Sequence, residues 1–135
     1  MKLDARRMAA FLRDPGAVRV ALLHGDDEGM VRHRADQLTQ AVVGARDDPF
    51  RVAWLQREDH ARLAEEASAI AMMGGRRVVR VRDAGDGLAG PVKAVLDGPG
   101  DSLVVLEAGA LQSNATFIND EWKSFGQIAW LDKRT

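Results

Sequence analysis

Val18-Arg19-Val20-Ala21-Leu22-Leu23-His24-Gly25 is apolar except at Arg19 and ends in a histidine and a glycine. A short apolar run closed by a turn signal reads as a buried strand. After Asp26-Asp27, the residues Val31, Ala35, Leu38 and Val42 recur at helical spacing between Glu28 and Val43. Strand, glycine turn and amphipathic helix together form one half of a parallel-sheet unit.

The same alternation continues outward. Upstream, Ala5, Met8, Ala9 and Leu12 give a helix over Asp4 to Leu12 that Asp14-Pro15-Gly16 stops. Downstream, Asp47-Asp48-Pro49 breaks the chain before a strand at Arg51 to Leu55. Asp59 is placed to cap a helix with Leu63, Ala67, Ile70 and Ala71 on one face, which Gly74-Gly75 ends. Val78 to Arg82 is a strand. Gly90-Pro91 opens a helix with Val92, Val95 and Leu96. Leu103 to Leu106 is the most apolar strand, Asn114 to Phe125 a helix, and Gln127 to Leu131 a last strand. Five strands alternating with five helices predict a three-layer parallel α/β sheet with helices on both faces, with Leu103 to Leu106 central and Gln127 to Leu131 beside the first strand. Arg80 and Arg82 share one side of their strand, which places that strand near an edge or has their side chains snorkel past a helix.

The length of 135 residues, 46% hydrophobic and 29% charged, suits one globular domain over residues 1–135. Apolar runs are too short to span a bilayer, and residues 1–15 lack the apolar core of a signal peptide. With no cysteine there is no disulfide framework and no thiolate chemistry, which fits a reducing cytoplasm. A net charge of −1 argues against a domain built mainly for nucleic acid. From Ser113 onward the composition shifts: both Asn, two of three Ile and two of three Trp lie there, with one Arg. An atypical or foreign tail over 113–135 is therefore one reading.

Several sites fail on their residues. A phosphate loop starting at Gly25 needs Gly, Lys and Ser/Thr where Met30, Val31 and Arg32 stand, and Asp26-Asp27-Glu28 would repel a polyphosphate. Glu107-Ala108 keeps one of the two carboxylates that an ATPase needs at that strand end. His24, His33 and His60 have no metal-ligand spacing, so no metal, no cofactor and no catalytic residue is assigned. Two alternatives remain: a nucleotide-binding enzyme using His24 and Glu107, and a nucleic-acid module using the cluster Arg76, Arg77, Arg80 and Arg82.

One feature survives this sorting. At about 100° per residue, a helix continued past Leu63 puts Ala67, Ile70 and Ala71 on the core face. Met72 then falls about 180° from Leu63, and Met73 about 80° to the side opposite Ala71. Two large flexible apolar side chains at a helix end, off the core stripe, make a protein-binding surface.

Asp48-Pro49-Phe50, Leu63-x-x-Glu66-Ala67 and Met72-Met73-Gly74-Gly75-Arg76-Arg77-Val78-Val79-x-Val81-Arg82-Asp83 together resemble the delta subunit of the bacterial DNA polymerase III clamp loader. Leu22-Leu23-His24-Gly25-Asp26-Asp27 and Leu103-Val104-Val105-Leu106-Glu107-Ala108-Gly109-Ala110-Leu111 are similar to that family's first and fourth strands. The resemblance spans residues 10–112. It implies an AAA+ (RecA-like, P-loop NTPase-like) amino-terminal domain that has lost nucleotide binding. Such a domain is a non-catalytic part of a DNA-directed DNA polymerase holoenzyme, a nucleotidyltransferase complex of DNA replication. The partners it implies are the sliding clamp (beta) and other clamp-loader subunits, with DNA met only indirectly and no membrane. The family opens the clamp by wedging two adjacent apolar residues, commonly Leu-Phe, into a clamp pocket. Met72-Met73 stand at that place, with Ile70 and Gly74 beside them and Arg76 and Arg77 as secondary contacts. The tail from Ser113 departs from the family's usual Leu-, Arg- and Lys-rich segment, and the lid and collar domains are absent. The chain is therefore expected to be a fragment that does not assemble the pentameric loader alone.

Overall fold

The computed structural model describes residues 5–16, 18–24, 27–44, 51–69, 75–109 and 128–132. The apolar runs are strands: β1 (Val20–His24), β2 (Val52–Leu55), β3 (Val78–Val81), β4 (Leu103–Glu107) and β5 (Ile128–Asp132). All pair in parallel, in the order β2-β3-β4-β1-β5. As expected from their composition, β4 is central and the closing strand lies against β1. The register sets Val20 opposite both Val104 and Ile128, and Val78 opposite both Val52 and Leu103.

Helices cover both faces, the arrangement that parallel strands joined by crossovers produce. On one face, Met8 and Phe11 of α1 (Ala5–Arg13) and Val31, Ala35 and Leu38 of α2 (Glu28–Val43) pack on Ala21, Leu23, Leu103 and Val105. On the other, Leu63 and Ala67 of α3 (Leu63–Ser68) and Val92 and Val95 of α4 (Ala89–Asp97) pack on Val20, Leu22, Val79, Val104 and Leu106. Side chains alternate faces along each strand, so even the most apolar strand, β4, feeds both cores.

Three local expectations need correction. Asp59 does not cap α3: a 3-10 turn, Arg57–Arg62, intervenes, and the Asp59 carboxylate instead accepts the Gln56 amide at 3.3 Å. Gly90-Pro91 lies inside α4, which starts at Ala89 after a 3-10 turn at Asp86–Leu88. Most consequentially, α3 ends at Ser68, where Ala69 turns extended at φ −70° and ψ 149°. The helical projection that set the directions of Met72 and Met73 therefore cannot be continued from α3, and both residues lie outside the described ones. The expected helix at Asn114 to Phe125 lies outside the described residues.

Candidate functional site

In a sheet of this kind, ligands ordinarily lie beyond the carboxyl ends of the strands. That edge here holds a cleft of about 110 Å³ lined by Glu28, Val31, Arg32, Arg82, Asp83, Glu107, Ala108 and Gly109. It is well below the volume of an ordinary small-molecule pocket, about 300–1,000 Å³. The N-terminus of α2, the natural place for a phosphate, is occupied from within: Asp27 Oδ1 accepts the Met30 amide at 3.1 Å. Val31, at the position where a phosphate-binding lysine belongs, is buried in the core.

Glu107 is held in the same way. Its Oε2 accepts Arg80 Nε at 3.1 Å, and Arg80 Nη1 donates to Asp36 Oδ1 at 2.9 Å. Thr39 Oγ1 stands 3.5 Å from the same Nη1. β3 lies next to the edge strand β2, as one expectation had it, but Arg80 has no exposed surface and does not snorkel to solvent. It is a buried cation matched by two carboxylates from α2 and β4. The indole of Trp54, opposite Arg80 in the β2–β3 register, lies 4.4 Å from its Cζ and 4.8 Å from that of Arg82. Among the described residues, Arg80 Nη2 and Arg82 Nε have no hydrogen-bond partner, and the aromatic face supplies part of the missing compensation.

His24 and Glu107 do not converge. Leu23 pairs with Glu107 and shares its sheet face, so His24, one residue on, belongs to the opposite face. Nor do the four arginines of the cluster form one basic surface. Arg80 is buried, Arg82 lies against Trp54, and Arg76 and Arg77 sit at the other end of β3, where their guanidinium groups are engaged by the fold.

That other end, the amino edge of the sheet, carries a pattern that the sequence reading missed. Arg19, Arg51 and Arg77 each stand one residue before the valine that starts a strand: Val20, Val52 and Val78. Each sends its guanidinium to the C-terminal carbonyls of a helix. Arg19 donates to Val95 O at 2.8 Å and Gly98 O at 3.1 Å, at the end of α4. Arg51 donates to Val43 O at 3.2 Å and Val42 O at 3.3 Å, at the end of α2. Arg77 donates to Glu66 O at 2.6 Å, in the last turn of α3. A cation there meets both the unsatisfied carbonyls and the negative end of the helix dipole. The repeated Arg-Val dipeptide was the available signal.

Arg76 completes this belt. Its Nε, Nη1 and Nη2 donate to Asp101 O, Gly16 O and Val18 O, each at 2.6 Å. Burial pushes its guanidinium below the ordinary arginine range and Arg19 adds to that, while Asp101 and Asp14 oppose it. Ile70, Met72, Met73 and Gly74 lie outside the described residues, between Ala69 and Gly75. Gly75 takes a left-handed φ of +87°, and a Cβ there would meet the Arg51 guanidinium at 3.0 Å, so both conformation and space favour glycine.

No family model and no curated protein matches the sequence. Solved structures do. The Bacillus subtilis DNA clamp loader delta protein (YqeN) is 15% identical, with a TM-score of 0.69 over 93% of this chain and 41% of its own. A DNA polymerase III gamma subunit-related protein from Thermotoga maritima is 13% identical, with a TM-score of 0.64 over 93% of this chain and 45% of its own. This chain thus spans less than half the length of either. What it shares with both is the fold: a parallel α/β sheet with helices on both faces.

Proposed function

We propose that this chain is the amino-terminal, clamp-binding domain of a delta-like clamp-loader subunit acting in bacterial DNA replication, without catalysis of its own. One observation carries the reading. A nucleotide-hydrolase fold has its nucleotide edge closed from within, by Asp27 on the α2 amides and by Arg80 on Glu107. A clamp-loader-type domain with that edge shut is suited to binding rather than to turnover. The likeness to a clamp loader delta protein and the sequence blocks around Met72-Met73 point the same way. The partners on this reading are the sliding clamp, through Met72 and Met73 with Ile70 and Gly74 beside them, and other loader subunits in a longer protein. Its location is the cytoplasm.

Two titrations test it. Immobilised bacterial sliding clamp should capture the chain, and substituting Met72 and Met73 together by Ala should abolish capture. ATP with magnesium should give no saturable binding up to millimolar concentration, since the fold lacks the phosphate-binding lysine and keeps acids at the loop. Micromolar ATP binding overturns the non-catalytic reading. Clamp capture that survives the double substitution moves the binding site elsewhere.

A further inference from the structure

We propose that Trp54 and Arg82, at the outer edge of the sheet, form a docking site for an acidic, extended segment of a partner protein, with one Asp or Glu carboxylate of that segment held by the Arg82 guanidinium. The inference stands apart from the clamp-binding reading and uses none of its residues.

Arg82 is the unmatched member of a pair. On the same face of β3, Arg80 meets Asp36 and Glu107, and both guanidinium groups lie over the Trp54 indole. Arg82 makes no ion pair among the described residues, although Glu28, Asp83 and Glu107 line the same cleft. Its Nε is buried without an acceptor, and neither Nη1 nor Nη2 donates to a described residue. The side chain is half-buried, so this charge has given up water without gaining a counter-charge. The ring contact satisfies no N–H hydrogen bond, which leaves Nη1 and Nη2 available to a carboxylate, a group that takes such a fork two bonds at a time. Trp54 adds a further donor. It is 39% exposed, and its indole N–H has no acceptor among the described residues. Every free polar group on these two side chains is a donor, so they call for an acceptor, and the cation makes that acceptor an anion.

The backbone supplies the rest. Arg51 O and Leu55 O accept the Val78 and Arg82 amides at 2.8 and 3.0 Å, so the backbone of Ala53, in step with them, also turns to β3. Alternation sends the amides and carbonyls of Val52 and Trp54 to the outer side, where no strand pairs among the described residues. Beyond them Gln56 is already closed: its carbonyl accepts the Asp59 amide at 2.9 Å and its amide donates to Asp59 Oδ2 at 3.3 Å. The edge thus offers the outward backbone of two residues beside an exposed indole and an unpaired cation, which suits a short extended segment carrying one acid. Glu28 and Asp83 line the cleft with Arg82 and repel a polyanion, so a protein segment with a single carboxylate fits better than a nucleic-acid strand.

The probe is the peptide acetyl-Thr-Val-Glu-Val-Thr-amide, compared with the same peptide carrying Gln in place of Glu and with a thymidine octanucleotide. Each is added to the isotopically labelled 135-residue chain. NMR follows the Trp54 indole cross-peak, assigned by its loss in Trp54→Phe, and the amides of Val52 and Trp54. These signals should shift saturably at about millimolar Glu peptide. The Gln peptide should bind about tenfold or more weakly, because it lacks the charge-assisted bonds. Arg82→Gln should remove the difference between the two peptides, and Arg82→Lys should keep part of it, since an ammonium offers a point charge in place of the fork. The amides of β1 and β4 should stay in place in both variants; if Arg82→Gln disturbs them, Arg82→Lys decides. No shift at about 10 millimolar Glu peptide, or equal shifts with the two peptides, overturns the site. Tighter binding of the octanucleotide than of the Glu peptide overturns the protein partner and makes Trp54 a base-stacking surface instead.

Discussion

Arg80 is a guanidinium with no exposed surface, and its two carboxylate partners come from different elements of the same face. Removing one member of a buried pair leaves the other charged in a poor solvent, a loss of about 3–5 kcal/mol. Arg80→Met should therefore lower the unfolding free energy by about that much, measured by urea denaturation, because Glu107 is left buried without its counter-charge. Arg80→Met combined with Glu107→Leu should recover most of the loss, since two matched apolar side chains restore a neutral core. If the double variant is as unstable as the single one, the pair is not the origin of the effect. The methionines predict the opposite pattern. Met72→Ala with Met73→Ala should abolish clamp capture and leave the melting temperature almost unchanged, while Met73→Phe should strengthen capture by adding aromatic area. Several degrees lost from the melting temperature with clamp affinity kept would instead assign both methionines to the core.

At the scale of elements, the two edges of the sheet are finished differently. At the carboxyl edge, Asp27 caps α2 through the Met30 amide. Asp27→Ala should cost about 0.5–2 kcal/mol, read by urea denaturation. It should not create ATP binding, since no lysine follows in the loop. An ATP signal appearing in that variant would show that the cap alone had been excluding phosphate. At the amino edge, three arginines tie the ends of α2, α3 and α4 to the starts of β2, β3 and β1. The same edge accounts for the early stop of α3. Arg77 takes the Glu66 carbonyl, and Gly100 brings the turn after α4 so close that a Cβ there would lie 3.1 Å from Ala67 O. Gly100 also has φ +104°, so Gly100→Ala combines a strained backbone with a close approach. It should destabilise the chain by more than the ~1 kcal/mol of an ordinary Gly→Ala mismatch, checked by thermal melting.

At the scale of the molecule, strand alternation, the central place of β4 and the pairing of the last strand with β1 were all legible in the sequence, because apolar period and turn residues are local signals. The missing phosphate-binding residues and the single carboxylate at Glu107 were legible for the same reason: they are absences at fixed spacing from a strand. Spacing along the chain does not say what a side chain meets across the fold. The near-edge place of β3 was legible, but the full burial of Arg80 was not, because its partners, Asp36 and Glu107, are 44 and 27 residues away. That Arg76 and Arg77 are held within the fold was not legible either, because the carbonyls that take them belong to other elements. The end of α3 was misplaced because helical period carries no information about an arginine arriving from the next strand. Composition and period therefore determined which segments are strands and which phosphate-binding residues the turn after the first strand does not carry. Only the tertiary structure decided where the charges go, since burial of a charge depends on partners that the sheet brings together from distant parts of the chain.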